Sequence, residues 1–167
     1  MTGPPMSKTR ILLIVCGSIL LIHMLWIYSQ LPETVASHFD GQGKPNAWMG
    51  KGVFLVFEIA LLLFVVGEML LVPRMISRLP NSLMNLPNKE YWLSLERREE
   101  TFATFRKYFE VFGSAILVLV TSVNHLVYMA NVNRQNLSNN IWYILIAFLA
   151  FVGIWLAKFI MEFTRKK

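Results

Sequence analysis

Four apolar runs, over residues 11–28, 53–72, 111–130 and 141–159, alternate with polar segments rich in turn formers. Each run is close to the ~20 residues that a helix needs to cross a bilayer core. Apolar side chains occupy every face of these runs rather than one stripe, which leaves no face for water. Buried core helices of a water-soluble protein would need amphipathic neighbours, and none follow from this pattern. The chain therefore reads as an all-α integral membrane protein with four transmembrane helices. It forms one membrane domain over residues 1–167, with an outer cap at 29–52 and a cytoplasmic loop at 73–110. Lys8 and Arg10 ahead of the first run resemble the start of a signal peptide. The run is long and no small-x-small site follows it, so a retained anchor is expected.

Composition agrees. Hydrophobic residues make up 55% of the chain and charged residues 16%, where a soluble domain has about a quarter charged. Cys16 is the single cysteine, which excludes an intrachain disulfide. The positive charges are unevenly spread. Lys8 and Arg10 precede the first span, and Arg165, Lys166 and Lys167 follow the fourth. Arg74, Arg78, Lys89, Arg97, Arg98, Arg106 and Lys107 lie in or beside the middle connection. The two other loops hold only Lys44, Lys51 and Arg134. Lys and Arg accumulate on the cytoplasmic side, which places both termini and the middle loop there. The expected location is a bacterial plasma membrane, crossed several times. The basic balance is then explained by topology and anionic lipid, not by nucleic acid. Trp26, Tyr28, Trp48, Trp142 and Tyr143 fall where aromatic rings favour the headgroup layer.

In the cytoplasmic loop, Pro73, Pro80 and Pro87 interrupt regular structure after the second span. Tyr91, Trp92 and Leu93 suit a segment lying at the inner membrane interface. Ser94 is a candidate cap for a helix with Glu96 in its first turn. Phe102, Phe105, Phe109 and Phe112 share one helical face. They predict an amphipathic cytoplasmic helix that runs into the third span and lies as a solvated connector on the membrane.

Ionisable groups within a span cost about 2.5–3.5 kcal/mol each on insertion scales, so each one needs a reason. His23, Glu58 and His125 all lie about 7–8 Å below the outer edge, at 1.5 Å per residue. Ser114, Thr121, His125 and Tyr128 fall within an arc of about 60° on the third span. A polar face of this kind turns toward the bundle interior. The intramembrane polar cluster expected there is His23, Glu58, Thr121, Asn124, His125 and Tyr128, with His38 above it. Three readings stay open: a hydrogen-bonded network, a proton- or ligand-binding pocket, and a metal site. The metal set would be His23, His38, Glu58 and His125, and zinc is the cofactor that imidazole with carboxylate admits. No cofactor is demanded, because no tight metal-binding spacing occurs. Glu68 is expected to pair with Arg74, Arg106 or Lys107.

The outer cap has its own chemistry. Gly41 and Gly43 permit positive φ, Pro32 stops the first helix, and Pro45 fixes a turn. Asp40 and Asn46 can bond nearby amides. A compact, rigid cap is expected. The segment LPETVASHFDGQGKPNAWMGK resembles the signature of a bacterial membrane family, the domain of unknown function sixteen forty-eight. The resemblance rests on Leu31, Pro32, Val35, His38, Phe39, Asp40, Gly43, Pro45, Asn46, Trp48 and Lys51. It covers about a third of the chain with the flanking spans. The same domain occurs in immunity proteins against a sporulation-delaying toxin, which carry a further multi-span domain. This chain ends after four spans. The resemblance implies a bacterial membrane protein and no particular activity.

These observations favour a non-enzymatic membrane module, sensing, accessory or immunity-like. Its ligand or partner loop would be His38, Phe39, Asp40, Gly43, Pro45, Asn46, Trp48 and Lys51. The expected partners are the lipid bilayer, an extracytoplasmic ligand or peptide, and a membrane-protein partner or second copy. The alternatives are a metal-binding protein or enzyme built on the His/Glu cluster, and a small oligomeric transporter. The absence of nucleophile-elbow, phosphate-loop and metalloprotease motifs weighs against the enzyme.

Overall fold

The computed structural model describes residues 6–165. The charges at Lys166 and Lys167 that entered the topology reading lie outside the described residues. Four long helices form an up-down-up-down bundle: α1 (Lys8–Tyr28), α2 (Lys51–Ser77), α4 (Arg98–Asn133) and α5 (Asn140–Thr164). All four are long and apolar enough to cross a membrane, the architecture of a multi-pass membrane protein. A hairpin of β1 (Thr34–Phe39) and β2 (Pro45–Gly50) joins α1 to α2. A 3-10 turn (Asn81–Leu83) and a single helical turn, α3 (Lys89–Trp92), lie between α2 and α4. The chain is mostly helical as expected, and the hairpin is the one addition.

The central helix is α4, which packs against α1, α2 and α5. Burial on the partner helices follows narrow stripes. On α1 these are Leu13, Cys16, Leu20, Met24 and Ile27, and on α2 they are Phe54, Glu58, Leu62, Val65, Met69 and Pro73. Spacings of three and four put each set on one face. Leu117 and Gly113 of α4 meet both stripes. A Cβ on Gly113 would lie 2.3 Å from Met69 Cγ and 3.1 Å from Leu13 Cδ1, so a glycine sets how closely three helices approach. At the end away from the hairpin, Arg10 bonds buried Glu110 at 2.9 Å, and the Ser7 and Thr9 hydroxyls donate to the same carboxylate at 3.0 and 2.5 Å. The start of α1 is thereby pinned to α4.

Several expectations for the middle connection change. Pro73 does not end α2, which continues through it to Ser77. Ser94 is not a helix cap. Its hydroxyl donates to the Tyr91 carbonyl at 3.2 Å, and α4 starts at Arg98 with Glu99 and Glu100 in its first turn. Arg98 is held instead by the carbonyls of Ser77 and Leu79 and the side chain of Asn81. Trp92 is buried and donates from Nε1 to the Phe163 carbonyl at 2.9 Å, so this segment is fastened to the end of α5. The phenylalanine face is no solvated connector either. Phe105 stacks on Phe163 with centroids 4.7 Å apart, and Phe112 meets Trp155 at 4.8 Å. These rings fasten α5, which buries only Phe163 along its described length. The helix carrying this face runs directly into the third span, as expected: α4 is continuous over 36 residues.

Candidate functional site

The hairpin is anchored by two adjacent residues of β1 rather than by an alternating face. Val35 is fully buried and Ala36 nearly so, while β2 is exposed over most of its length. The turn is built by Asp40. Its side-chain Oδ1 accepts from the amides of Gln42 and Lys44 at 3.0 and 2.8 Å, and its backbone pairs with Lys44 and Gly43. Gly43 has φ +78°, as expected, whereas Gly41 does not adopt positive φ. Pro45 opens β2 opposite Phe39, a strand-start position that needs no ladder donor from it. The register shifts on either side of His38, so Ser37 of β1 and Asn46 of β2 have no opposite number while His38 itself pairs with Ala47.

Three fastenings hold the hairpin on the bundle. One face packs Val35 with Ile27, Leu31, Phe54, Val127 and Tyr128. The turn meets the α4–α5 loop, where the Leu137 amide donates to the Gly43 carbonyl at 2.8 Å. The third is Asn131 of α4. Its Oδ1 accepts from the Ala36 amide at 2.7 Å, and its Nδ2 donates to the Ala36 carbonyl at 3.0 Å. A carboxamide thus pairs with the β1 edge as another strand would. Lys51 adds an ion pair with Glu33 at 2.8 Å, although Glu33 is mostly exposed, so solvent screens the pair and it adds little to the fastening. Between the hairpin and the end of α4 lies a mixed polar and apolar groove of about 440 Å³, with Trp48 on one wall and Arg134, Gln135 and Asn136 on the other.

The proposed loop residues divide by role. Phe39 packs partly into the apolar cluster beneath the hairpin. Asp40, Gly43 and Pro45 build the turn. His38 Nδ1 and Asn46 Oδ1 lie 2.5 Å apart, so the ring nitrogen carries the proton and donates. Asn46 therefore bonds a side chain rather than a nearby amide. Trp48 is 58% exposed and held by no interior packing, which leaves it available at the surface.

Below the hairpin, the expected cluster separates into two groups, because His23, Trp26, His125 and Tyr128 form one ring of aromatic contacts with centroids 5.4 to 6.0 Å apart, and Glu58 with Asn124 forms the other. His23 Nε2 and His125 Nδ1 meet at 3.3 Å on one flank of α4. Glu58 is buried on the other flank and accepts from Asn124 Nδ2 at 2.7 Å. Tyr128 donates to Gln30 Oε1 at 2.8 Å and faces Trp26, with ring centroids 5.4 Å apart. Thr121 bonds the Leu117 carbonyl of its own helix, as Ser114 does that of Glu110, so neither reaches a neighbour. Asn124 and His125 are adjacent in sequence and so diverge by about 100° around the helix. That angle sends their partners, Glu58 and His23, to different sides. Equal depth was legible, but a shared site did not follow from it. The four-residue metal set is not assembled: His38 engages Asn46 above, and among the described residues no three His, Cys, Asp or Glu side chains are placed to hold an ion. Glu68 is exposed, off the buried stripe of α2, and forms no ion pair with Arg74, Arg106 or Lys107 among the described residues.

Asn131 and Glu110 were not singled out from the sequence. Asn124, Tyr128 and Asn131 follow at i, i+4 and i+7, so extending the polar face by one turn would have reached Asn131. Glu110 stands one residue before the third apolar run and was counted outside it.

Residues 13–64 match a family known as a domain of unknown function (DUF1648). No curated protein and no solved structure matches the chain. The matched segment contains most of α1, the hairpin and the first half of α2. It therefore supplies His23, Ala36 and Glu58, while their partners His125, Asn131 and Asn124 all come from α4.

Proposed function

We propose, from the premise that residues 13–64 are a DUF1648 domain completed by α4, that this chain is a non-enzymatic bacterial membrane module presenting its hairpin to an extracytoplasmic partner. The observation that carries this reading is the fixed posture of the hairpin. Asn131, Leu137 and an apolar face all hold it, yet β2 and Trp48 remain exposed beside a polar groove. A connector that only joined two spans would need none of these fastenings. Preorganisation of a binding surface lowers the ordering cost of association. In this reading the hairpin end faces outward, because Lys and Arg concentrate at the opposite end, and both termini lie in the cytoplasm of a cell bounded by the plasma membrane. Sensing, accessory and immunity-like roles all use such an outward surface, and the resemblance to immunity proteins supports the last of these by domain alone.

The test is photo-crosslinking in intact cells. A benzophenone amino acid at Ala47 or Gln135 should give discrete, light-dependent protein adducts. The same probe at Ile146, an exposed apolar residue of α5, should give none. Adducts from neither outer position would overturn the reading.

A further inference from the structure

The ladder decides which backbone groups the hairpin leaves free. The Lys51 amide donates to the Glu33 carbonyl at 2.9 Å. Val35 opposes Met49, and Ala36 opposes Trp48. In an antiparallel pair, bonded and non-bonded positions alternate. The 33–51 and 35–49 pairs therefore exchange ladder bonds, while Ala36 and Trp48 turn their N–H and C=O away from each other, toward the two edges. Asn131 satisfies both Ala36 groups on the β1 edge. On the β2 edge, the Trp48 backbone has no corresponding partner among the described residues. One edge of this two-stranded sheet is closed from within, and the other is open.

An open edge with outward N–H and C=O groups is a template for a further strand. Its charge selects among candidates. Lys44 and Lys51 flank β2 at its two ends, and Arg134 lies on the same side of the molecule. Lys44 and Arg134 form no ion pair among the described residues, whereas Lys51 is paired with Glu33. Two copies of β2 paired antiparallel would bring Lys44 of each near the Lys51–Glu33 pair of the other, whose carboxylate is already engaged, so neither Lys44 gains a free partner. A strand carrying carboxylates meets the opposite situation. Resting on the outward-partner reading above, we infer that the β2 edge takes an extended acidic peptide segment of another protein as a third strand, aligned by the Trp48 backbone, with a carboxylate placed to reach the unpaired Lys44. The exposed Trp48 ring then covers alternate side chains on one face of the added strand.

The probe is a fluorescein-labelled eight-residue peptide alternating Thr and Glu, titrated by anisotropy onto the full chain in nanodiscs of zwitterionic lipid. A Thr/Lys counterpart and a Thr/Glu peptide N-methylated at alternate amides serve as comparisons. The Thr/Glu peptide should bind saturably, at least about tenfold more tightly than either one, because N-methylation removes strand donors while leaving the side chains in place. Trp48→Phe should retain binding. Trp48→Pro should lose about tenfold while leaving the β1–β2 ladder in place, since the amide it removes faces the open edge. If that variant fails to fold, the N-methylated peptide makes the same distinction on the unaltered protein. Equal binding of the parent and methylated peptides would overturn strand addition, and equal binding of Glu and Lys peptides would overturn the acidic preference. A disulfide-linked dimer formed readily through Ala47→Cys, in a Cys16→Ala background, with no peptide bound would assign the edge to a second copy instead. Absent peptide binding alongside cellular adducts at Ala47 and Gln135 would sink this inference and leave the outward-partner reading standing.

Discussion

Gly43 answers two demands at once. Its φ of +78° is a left-handed conformation, and a Cβ there would sit 2.6 Å from the Leu137 carbonyl oxygen. Gly43→Val should therefore lower stability by about 2 kcal/mol or more. Gly41→Val, with open space around it and no positive φ, should change stability by under about 0.5 kcal/mol. Thermal melting of the two detergent-solubilised variants checks the contrast, and equal losses would refute it. Asn131→Leu removes both bonds to Ala36 and strands a backbone pair at about 1–3 kcal/mol. Hydrogen exchange at the Ala36 amide should accelerate in that variant more than exchange in the α1 core. The His23–His125 contact is a lesser matter. It joins two side chains on the bundle flank, and His125→Ala should cost on the order of 0.6 kcal/mol, as membrane interhelical hydrogen bonds do on average.

Helices and strands bear out different kinds of sequence signal. The apolar runs specify helices through length and hydrophobicity, and each observed helix covers its run, with a few residues added at the ends except in α4, which starts at Arg98, well before its run. The hairpin was hidden by its own turn residues. Asp40, Gly41, Gly43 and Pro45 dominate the segment, and six residues on either side are too few for alternation to stand out. The amphipathic reading of 102–112 had the right periodicity and the wrong neighbour. Phe105 and Phe112 face α5 because Trp155, Phe159 and Phe163 stand at matching heights on it, while Phe109 packs against the core shared by α1 and α2. Phe105→Ala should thus loosen the end of α5 specifically, at about 3 kcal/mol. Faster amide exchange over residues 159–164, with α1 unchanged, is the expected result; uniform acceleration would argue that the aromatic contacts are not local fasteners.

At the scale of the molecule, orientation is the leading prediction. In a Cys16→Ala background, Gln42→Cys and Asn136→Cys should react with an impermeant thiol reagent on whole cells, and Ser82→Cys should react only after lysis. All three positions are exposed, so protection reports sidedness rather than burial. Labelling of Ser82→Cys in intact cells would invert the topology and with it the outward placement of the hairpin. The bundle also has an uneven profile. Aromatic contacts hold α5 through its C-terminal half, while an apolar groove of about 490 Å³ separates its N-terminal half from Leu12 and Cys16 of α1. Its lining is almost wholly apolar, as suits lipid chains rather than a polar ligand.

Local chemistry alone determined that four segments are membrane-length helices, that the turn holds glycines free to adopt positive φ, and that polar groups in three spans lie near one depth. Each is a property of composition, spacing or a single backbone position, and needs no knowledge of which helix touches which. Tertiary structure decided the partners. Depth is one coordinate, and the angle around each helix is the other. With α4 at the centre, neighbouring Asn124 and His125 point about 100° apart and recruit Glu58 and His23 on opposite flanks. The same central helix brings Asn131 to the β1 edge, which closes one side of the hairpin and leaves the other open. A pattern read along the chain does not contain that angle, because it arises only when the helices pack.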